Sequence, residues 1–124
     1  MPLGFERLVA WQRADDLFIV VLGAAMSFPL NERFVLASQL RRAAFSVPAN
    51  IVEGMTRRRT GDRLRFLNIA EASLAETAYC LHAAHRLGYL SDEEYGSLDK
   101  AVRQTAAPLV GLIRQIGAEA APSE

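Results

Sequence analysis

The sequence has 124 residues, of which 51% are apolar, and a formal net charge of zero. This composition argues against a disordered chain, and the length suits one domain over residues 1–124 with no room for a second. The single cysteine, Cys80, excludes an intrachain disulfide. The longest apolar run, residues 17–26, is too short for a membrane-spanning helix of about 20 residues, and the N-terminus lacks a signal-peptide pattern, so we expect a cytoplasmic protein that does not engage a membrane.

The first half of the chain carries two helical patterns. Its apolar residues recur at alternating steps of three and four, the spacing of one helical face, and predict helices over residues 9–28 and 32–53. Pro29 ends the first helix because its ring pushes the preceding residue out of the helical conformation, and Asn31 is placed to cap the second. Pro48 lies inside the second helix, where its missing N–H predicts a kink.

Glycines mark the next two predicted helix ends. Gly54 is placed to end the second helix in the left-handed conformation, and Gly88 is placed to end a third helix over residues 61–87. Thr60 is predicted to cap the third helix at its N-terminus. Asp62 lies in the first turn, where the helix dipole favours a carboxylate.

A fourth helix is predicted over residues 92–116. Ser91 and Glu94 have the spacing of a capping box at its start, and Pro108 predicts a bend about midway. Residues 117–124 are predicted to fray. Because four amphipathic helices are joined by short connections, the sequence predicts an all-α fold, an antiparallel up-down-up-down four-helix bundle.

The first helix is apolar on more than one face, which is unusual for a surface helix of a small monomer. One interpretation is that this helix is the most enclosed of the four. The other, which we favour, is a subunit interface, because burying several such side chains at about 1.5 to 3 kcal/mol each would offset the entropy of association. The residues predicted to form this interface are Trp11, Phe18, Ile19, Val20 and Leu22.

The charge is unevenly distributed along the chain. Residues 32–65 contain eight arginines and three acids, a local balance of 8 − 3 = +5, and 13 of the 14 basic residues in the chain are arginine. The planar guanidinium fork matches phosphate bidentately, so this segment indicates a polyanion-binding surface, although solvated arginines in a loop are also ordinary. The residues predicted to bind nucleic acid are Arg41, Arg42, Arg57, Arg58, Arg59, Arg63 and Arg65.

No motif for catalysis, metal binding or a cofactor is present in the sequence. There is no phosphate-binding glycine loop and no HExxH helix, and no glutamate has a histidine three residues later, as the di-iron bundles require. His82, His85 and Cys80 share one helix, where such residues are more often fillers than ligands. We therefore expect no enzyme, no metal and no cofactor.

Short segments spread over most of the chain resemble a known family. They are Trp11-Gln12-Arg13-Ala14, Phe28-Pro29, Gln39-Leu40-Arg41-Arg42-Ala43, Ser46-Val47-Pro48-Ala49-Asn50-Ile51-Val52-Glu53-Gly54, Phe66-Leu67, Ser73-Leu74-Ala75-Glu76 and Leu87-Gly88-Tyr89. These segments are similar to the bacterial four-helix-bundle proteins encoded in intervening sequences of large-subunit ribosomal RNA genes. That family includes the accessory variability protein of diversity-generating retroelements.

The resemblance implies a bundle that assembles as a ring-like homopentamer. It also implies an arginine-rich outer surface that binds RNA or DNA and, in the retroelement member, contact with a reverse transcriptase. Arg41, Arg42 and residues 57–59 match the basic surface of the family. The matching structural motif consists of Ser46, Pro48, Asn50, Glu53 and Gly54, in which Asn50 and Glu53 are expected to satisfy groups that Pro48 leaves unpaired.

Three functional hypotheses follow. The first is a non-enzymatic, homo-oligomeric accessory protein that binds nucleic acid through its arginines. The second is a protein-only scaffold, in which the basic segment pairs with acids on a partner or a neighbouring subunit. The third and least favoured is an enzyme acting through Glu53, Glu71 or His85.

Overall fold

The computed structural model describes residues 4–32 and 35–120, and within these ranges the protein is all helical, with no β-strand. It contains four α-helices: α1 Val9–Ala25, α2 Leu36–Met55, α3 Thr60–Arg86 and α4 Asp92–Ala120. Two short 3-10 helices, Phe5–Arg7 and Leu30–Glu32, lie before α1 and between α1 and α2. Helix α1 packs against α2 and α4, and α3 packs against the same two helices. The predicted all-α class with four helices is confirmed.

One hydrophobic core lies between the four helices. Each helix contributes its apolar stripe, and the largest fully buried side chains include Leu17, Leu40, Ile51, Leu67, Leu81 and Leu109. Burying each such side chain stabilises the fold by about 1.5 to 3 kcal/mol. Two buried hydroxyls satisfy themselves locally, because Thr77 donates to the carbonyl of Ser73 at 2.8 Å and Thr105 donates to the carbonyl of Ala101 at 2.9 Å.

The connection between α1 and α2 is longer than predicted. Helix α1 ends at Ala25, three residues before the expected end, and α2 begins at Leu36 rather than at residue 32. Asn31 does not cap α2, because it lies inside the 3-10 helix that follows Pro29. Helices α2 and α4 continue through Pro48 and Pro108 as single α-helices.

The prediction that Gly54 ends α2 in a left-handed conformation is wrong. Gly54 is buried inside the last turn of α2, and only Gly4 and Gly88 have a positive φ among the described glycines. A Cβ on Gly54 would lie 3.2 Å from the carbonyl oxygen of Arg63 and 3.3 Å from the Cβ of Phe66. The glycine is therefore needed for the close approach of α2 and α3, not for a turn.

The ends of α3 and α4 combine confirmed predictions and corrections. Ser91 and Glu94 form the predicted capping box, with reciprocal bonds of 2.9 and 3.0 Å. Gly88 ends α3 with a φ of 81°, and its N–H donates to the carbonyl of His85. Thr60 does not cap α3, because it is already helical and no side chain caps this end.

The C-terminal tail is more ordered than expected. Residues 117–120, predicted to fray, continue α4 as regular helix, and residues 121–124 lie outside the described residues. Arg33, counted in the basic segment above, also lies outside them. None of the described helices is both long and apolar enough to cross a membrane.

Candidate nucleic-acid interface

Five of the seven predicted nucleic-acid-binding arginines lie together where α2 passes into α3. We call this region the arginine end, and its members are Arg57, Arg58, Arg59, Arg63 and Arg65. The first three occupy the connection itself, and the other two lie in the first two turns of α3. Asp62 is the only acid between residues 57 and 65. The arginine end is thus a compact region of positive charge.

The connection is short, and hydrogen bonds hold it at both sides. The Thr56 hydroxyl donates to the carbonyl of Glu53 at 2.8 Å, and the Arg57 N–H donates to the carbonyl of Gly54 at 3.2 Å. On the other side, the Arg63 N–H donates to the carbonyl of Arg59 at 3.0 Å. Together with the close approach at Gly54, these bonds give the connection one defined path.

Two of the five arginines are engaged within the protein. Arg57 pairs with Glu53 one turn earlier, with 2.9 Å between Nη2 and Oε2, and its guanidinium lies 4.7 Å from the ring centre of Phe66. Arg63 donates from Nε to the carbonyl of Arg57 at 2.7 Å. Both side chains therefore stabilise the connection itself. No sequence pattern indicates that Phe66 supports Arg57, because only the tertiary contact of α2 and α3 brings the ring there.

The other three arginines face solvent. Arg58 and Arg59 are exposed and make no ion pair or hydrogen bond through their side chains with any described residue. Arg65 is also exposed, with its guanidinium 5.7 Å from the ring centre of Phe66. These three guanidinium groups keep their donors available for an anionic ligand.

Arg41 and Arg42 do not join this group. They lie on α2 about 14 residues before the connection, which corresponds to roughly 20 Å along the helix axis. Arg42 is exposed and lines the groove between α2 and α3, whereas Arg41 is half-buried. The predicted set of seven is therefore divided into a compact group of five and a separate pair.

Polar side chains join α2 to α3 through a chain of hydrogen bonds. Asn50 donates at 2.8 Å to both the carbonyl and the hydroxyl oxygen of Ser46, and the Ser73 hydroxyl on α3 donates to the same Ser46 oxygen at 2.8 Å. Asn50 therefore does not bond to Ala44, whose carbonyl is the one that Pro48 leaves unpaired. Glu53 takes no part in this chain of hydrogen bonds either, because it is exposed and paired with Arg57.

A second charged region lies at the opposite end of α3. Asp92, Glu93 and Glu94 open α4 and are all exposed, and we call them the acidic end. Helix α3 has 27 residues and so separates the two ends by about 40 Å. The backbone N–H of Ser91, and then its side chain, lowers the pKa of the Glu94 carboxyl by hydrogen bonding.

The predicted interface residues of α1 fall into two groups. Trp11 and Phe18 are half-buried and line an apolar cleft of about 490 Å³ between α1 and α2. Ile19 and Val20 lie outside this cleft and are 58% and 48% exposed, while Leu22 is half-buried. Ile19 and Val20 are therefore not enclosed within the subunit, and the subunit interface at these residues stays a prediction.

The residues considered for chemistry do not converge. Among residues 4–32 and 35–120, no three His, Cys, Asp or Glu side chains gather as metal ligands would. His85 Nε2 lies 2.7 Å from the carboxylate oxygen Oδ1 of Asp92, and the His85 ring stacks on Tyr95 with ring centres 4.4 Å apart. Cys80 is buried, and burial followed by the charge of Glu76 raises the pKa of its thiol, which keeps it a poor nucleophile near neutral pH.

Glu53 and His85, named for the enzyme hypothesis, lie beside different connections at opposite ends of α3. Glu71 is exposed on α3 between them. The fold and this geometry together define a small all-α protein with one arginine-rich connection.

Comparison with known proteins identifies the family. The model of the 23S rRNA-intervening sequence protein family matches residues 6–111, so the chain belongs to that family. No curated protein matches the sequence at a significant level.

A solved structure shares the fold. It is a protein of unknown function from the S23 ribosomal protein family of Bacteroides thetaiotaomicron, with a TM-score of 0.79 and 24% sequence identity. The match covers 86% of this chain and 96% of that protein.

Proposed function

We propose that this protein is a non-enzymatic, homo-oligomeric accessory protein that binds RNA through its arginine end. The observation that carries the proposal is that two of the five arginines bond to the connection itself and the other three are exposed. Arg57 and Arg63 fix the connection. Arg58, Arg59 and Arg65 are exposed and make no ion pair or hydrogen bond through their side chains with described residues, and Arg65 contacts only the Phe66 ring. A fixed loop with free planar donors suits the phosphates of a nucleic-acid backbone, RNA first and DNA second.

The assembly belongs to the same proposal. We propose that the subunit is an antiparallel bundle and that it assembles as a ring-like homopentamer in the cytoplasm. The antiparallel order of α2 and α3 is supported by two contacts: Gln39, early in α2, donates to Glu76, late in α3, at 2.7 Å, and Gly54, late in α2, lies against Phe66, early in α3. The exposed Ile19 and Val20 of α1 support a subunit interface. Repeating the arginine end in each subunit would raise the affinity for one RNA.

A reverse transcriptase is the protein partner that the resemblance to the accessory variability protein suggests. Membership of the intervening-sequence family supports an origin beside ribosomal RNA genes rather than this partner in particular. The proposal therefore includes the reverse transcriptase as a partner only where such a gene accompanies this one.

The test is the affinity for RNA of the double variant Arg58→Ala with Arg59→Ala, measured by fluorescence anisotropy over a salt series. Losing two phosphate contacts should make the plot of log affinity against log salt less steep, by about 1.5 in the magnitude of its slope per subunit. The matched control removes Arg103 and Arg114 from α4, where both are exposed and Arg103 is already paired with Asp99 at 2.9 Å. In the control variant, the log affinity and the slope should both stay within a few tenths of the wild-type values.

Two results would end the proposal. One is a wild-type oligomer that binds neither RNA nor DNA at low salt. The other is an equal loss of affinity in both double variants, because it would mean that the arginine end has no special role.

A protein-only scaffold is the second candidate, and the ion pair of Arg57 with Glu53 favours it. This pair shows that the arginine end can engage carboxylates as well as phosphates. A scaffold of this kind would retain its protein partner after nuclease treatment of the purified complex. Loss of the partner on nuclease treatment would instead place RNA between the two proteins.

A further inference from the structure

The cleft between α1 and α2 combines aromatic walls with carboxylates. Its main lining residues are Trp11, Phe18, Phe45 and Val52, with Asp15 and Glu53 at its edges. Phe18 and Phe45 meet edge to face with ring centres 5.5 Å apart, and Phe45 remains 56% exposed. A cleft with aromatic rings and acids suits a cationic side chain that has an apolar stem, because both the ring faces and the carboxylates attract it.

Asp15 is the carboxylate that this cleft leaves free. Glu53 is engaged by Arg57, whereas Asp15 is half-buried and makes no ion pair or hydrogen bond through its side chain with any described residue. It lies one turn after Trp11 and one turn before Phe18, so the rings flank it on α1. A cation from outside can pair with this carboxylate while its apolar stem lies against the rings.

A complementary surface lies on the outer face of α3. Tyr79 and Leu87 are 69% and 58% exposed, and Arg86, beside Leu87, is exposed and makes no side-chain ion pair or hydrogen bond with any described residue. Tyr79, Arg86 and Leu87 line one shallow depression together with His82. From Tyr79 to Leu87 the helix rises about 12 Å, and from Trp11 to Phe18 it rises about 10 Å, so the two surfaces have similar lengths.

We propose that the Arg86 side chain of one copy enters the α1–α2 cleft of a second copy, where its guanidinium pairs with Asp15. Leu87 and Tyr79 then pack on Trp11, Phe18 and Phe45 of the second copy. This contact rests on the homo-oligomer proposed above and names its two faces. Because the faces differ, the contact is head to tail: it produces a ring when the rotation closes and an open filament when it does not.

The experiment is a charge swap measured by sedimentation velocity. Asp15→Arg and Arg86→Asp should each weaken self-association by about tenfold or more, because each places like charges in the contact. The double variant carrying both changes restores an opposite pair at every contact and should regain assembly. Glu119→Arg is the control, because it makes the same reversal of charge at an exposed acid of α4 that lines neither the α1–α2 cleft nor the depression at Arg86, and it should assemble like the wild type.

A second readout comes from Trp11, the only tryptophan in the chain. Its fluorescence emission should shift to longer wavelength when Asp15→Arg or Arg86→Asp dissociates the oligomer, and it should return in the double variant. Circular dichroism of each variant checks that the helical fold is kept.

The possible results distinguish failure of the Arg86–Asp15 contact from failure of the proposed function. Assembly of Asp15→Arg at wild-type strength, or failure of the double variant to recover, overturns the contact while the RNA-binding oligomer stands. A wild-type protein that sediments as a lone subunit overturns the contact and the proposed assembly together.

Discussion

The arginine end and the acidic end are separated by the length of α3, about 40 Å, and are built differently. At the arginine end, a close helix contact at Gly54 and side-chain bonds from Arg57 and Arg63 hold the connection. At the acidic end, a left-handed Gly88 and a capping box at Ser91 define the turn. One connection therefore depends on tertiary packing, and the other depends on local backbone chemistry, so substitutions should affect them differently.

The largest effect is expected at Gly54. Gly54→Val places new carbon atoms against the Arg63 carbonyl and Phe66, and should lower the free energy of unfolding by about 2 kcal/mol or more through overpacking. The same substitution at Gly96 is the control, because a Cβ there meets nothing within 4 Å, and it should change stability by less than about 0.5 kcal/mol. Urea denaturation followed by circular dichroism measures both. An equal loss of unfolding free energy in the two variants would contradict the idea that the close contact at Gly54 holds the arginine end.

A smaller effect is expected from Ser91→Ala, which removes the hydroxyl that accepts the Glu94 N–H. The loss should be about 1 kcal/mol, typical of an N-cap. Ser97→Ala, on the exposed surface of α4 with no side-chain hydrogen bond to a described residue, should leave stability nearly unchanged. A loss of unfolding free energy in Ser91→Ala as large as that in Gly54→Val would contradict the contrast between a locally held connection and one held by helix packing.

The smallest effect concerns pH. Hydrogen bonds from Ser91 lower the pKa of Glu94 in the folded protein. The ionised carboxylate is therefore more stable in the folded state than in the unfolded state. Its contribution is fully present above the pKa of the unfolded carboxyl and disappears as the pH falls through the lower folded pKa. Glu94→Gln should remove this acid-sensitive contribution, which is seen by comparing unfolding of the two proteins between neutral and acidic pH. A constant difference over that range would contradict it.

The sequence predicts the local features of this protein better than the tertiary ones. The capping box and Gly88 were predictable because their partners lie within a few residues. The prediction for Gly54 fails because a glycine followed by a polar connection resembles a C-cap in sequence, and only the position of Phe66 shows its real role. The start of α2 was misplaced because one short 3-10 turn after Pro29 has no distinct pattern in sequence.

The candidate site shows the same limit. Composition alone located the arginines, but it treated Arg57, Arg58 and Arg59 as equivalent. Only the ion pair with Glu53 and the contact with Phe66 distinguish Arg57 from its two neighbours. Asp15 likewise gained a candidate role only when α2 placed Phe45 and Val52 opposite it.

The bond from the Arg63 guanidinium to the Arg57 carbonyl bears on how fast and how tightly a ligand is captured. Because both ends of the Arg58-Arg59 stretch are already fixed, a ligand has few backbone dihedrals left to freeze, and the entropic penalty of ordering a loop falls mainly on two side chains. Capture should then resemble docking onto a prepared surface, with little change in helicity when the ligand arrives.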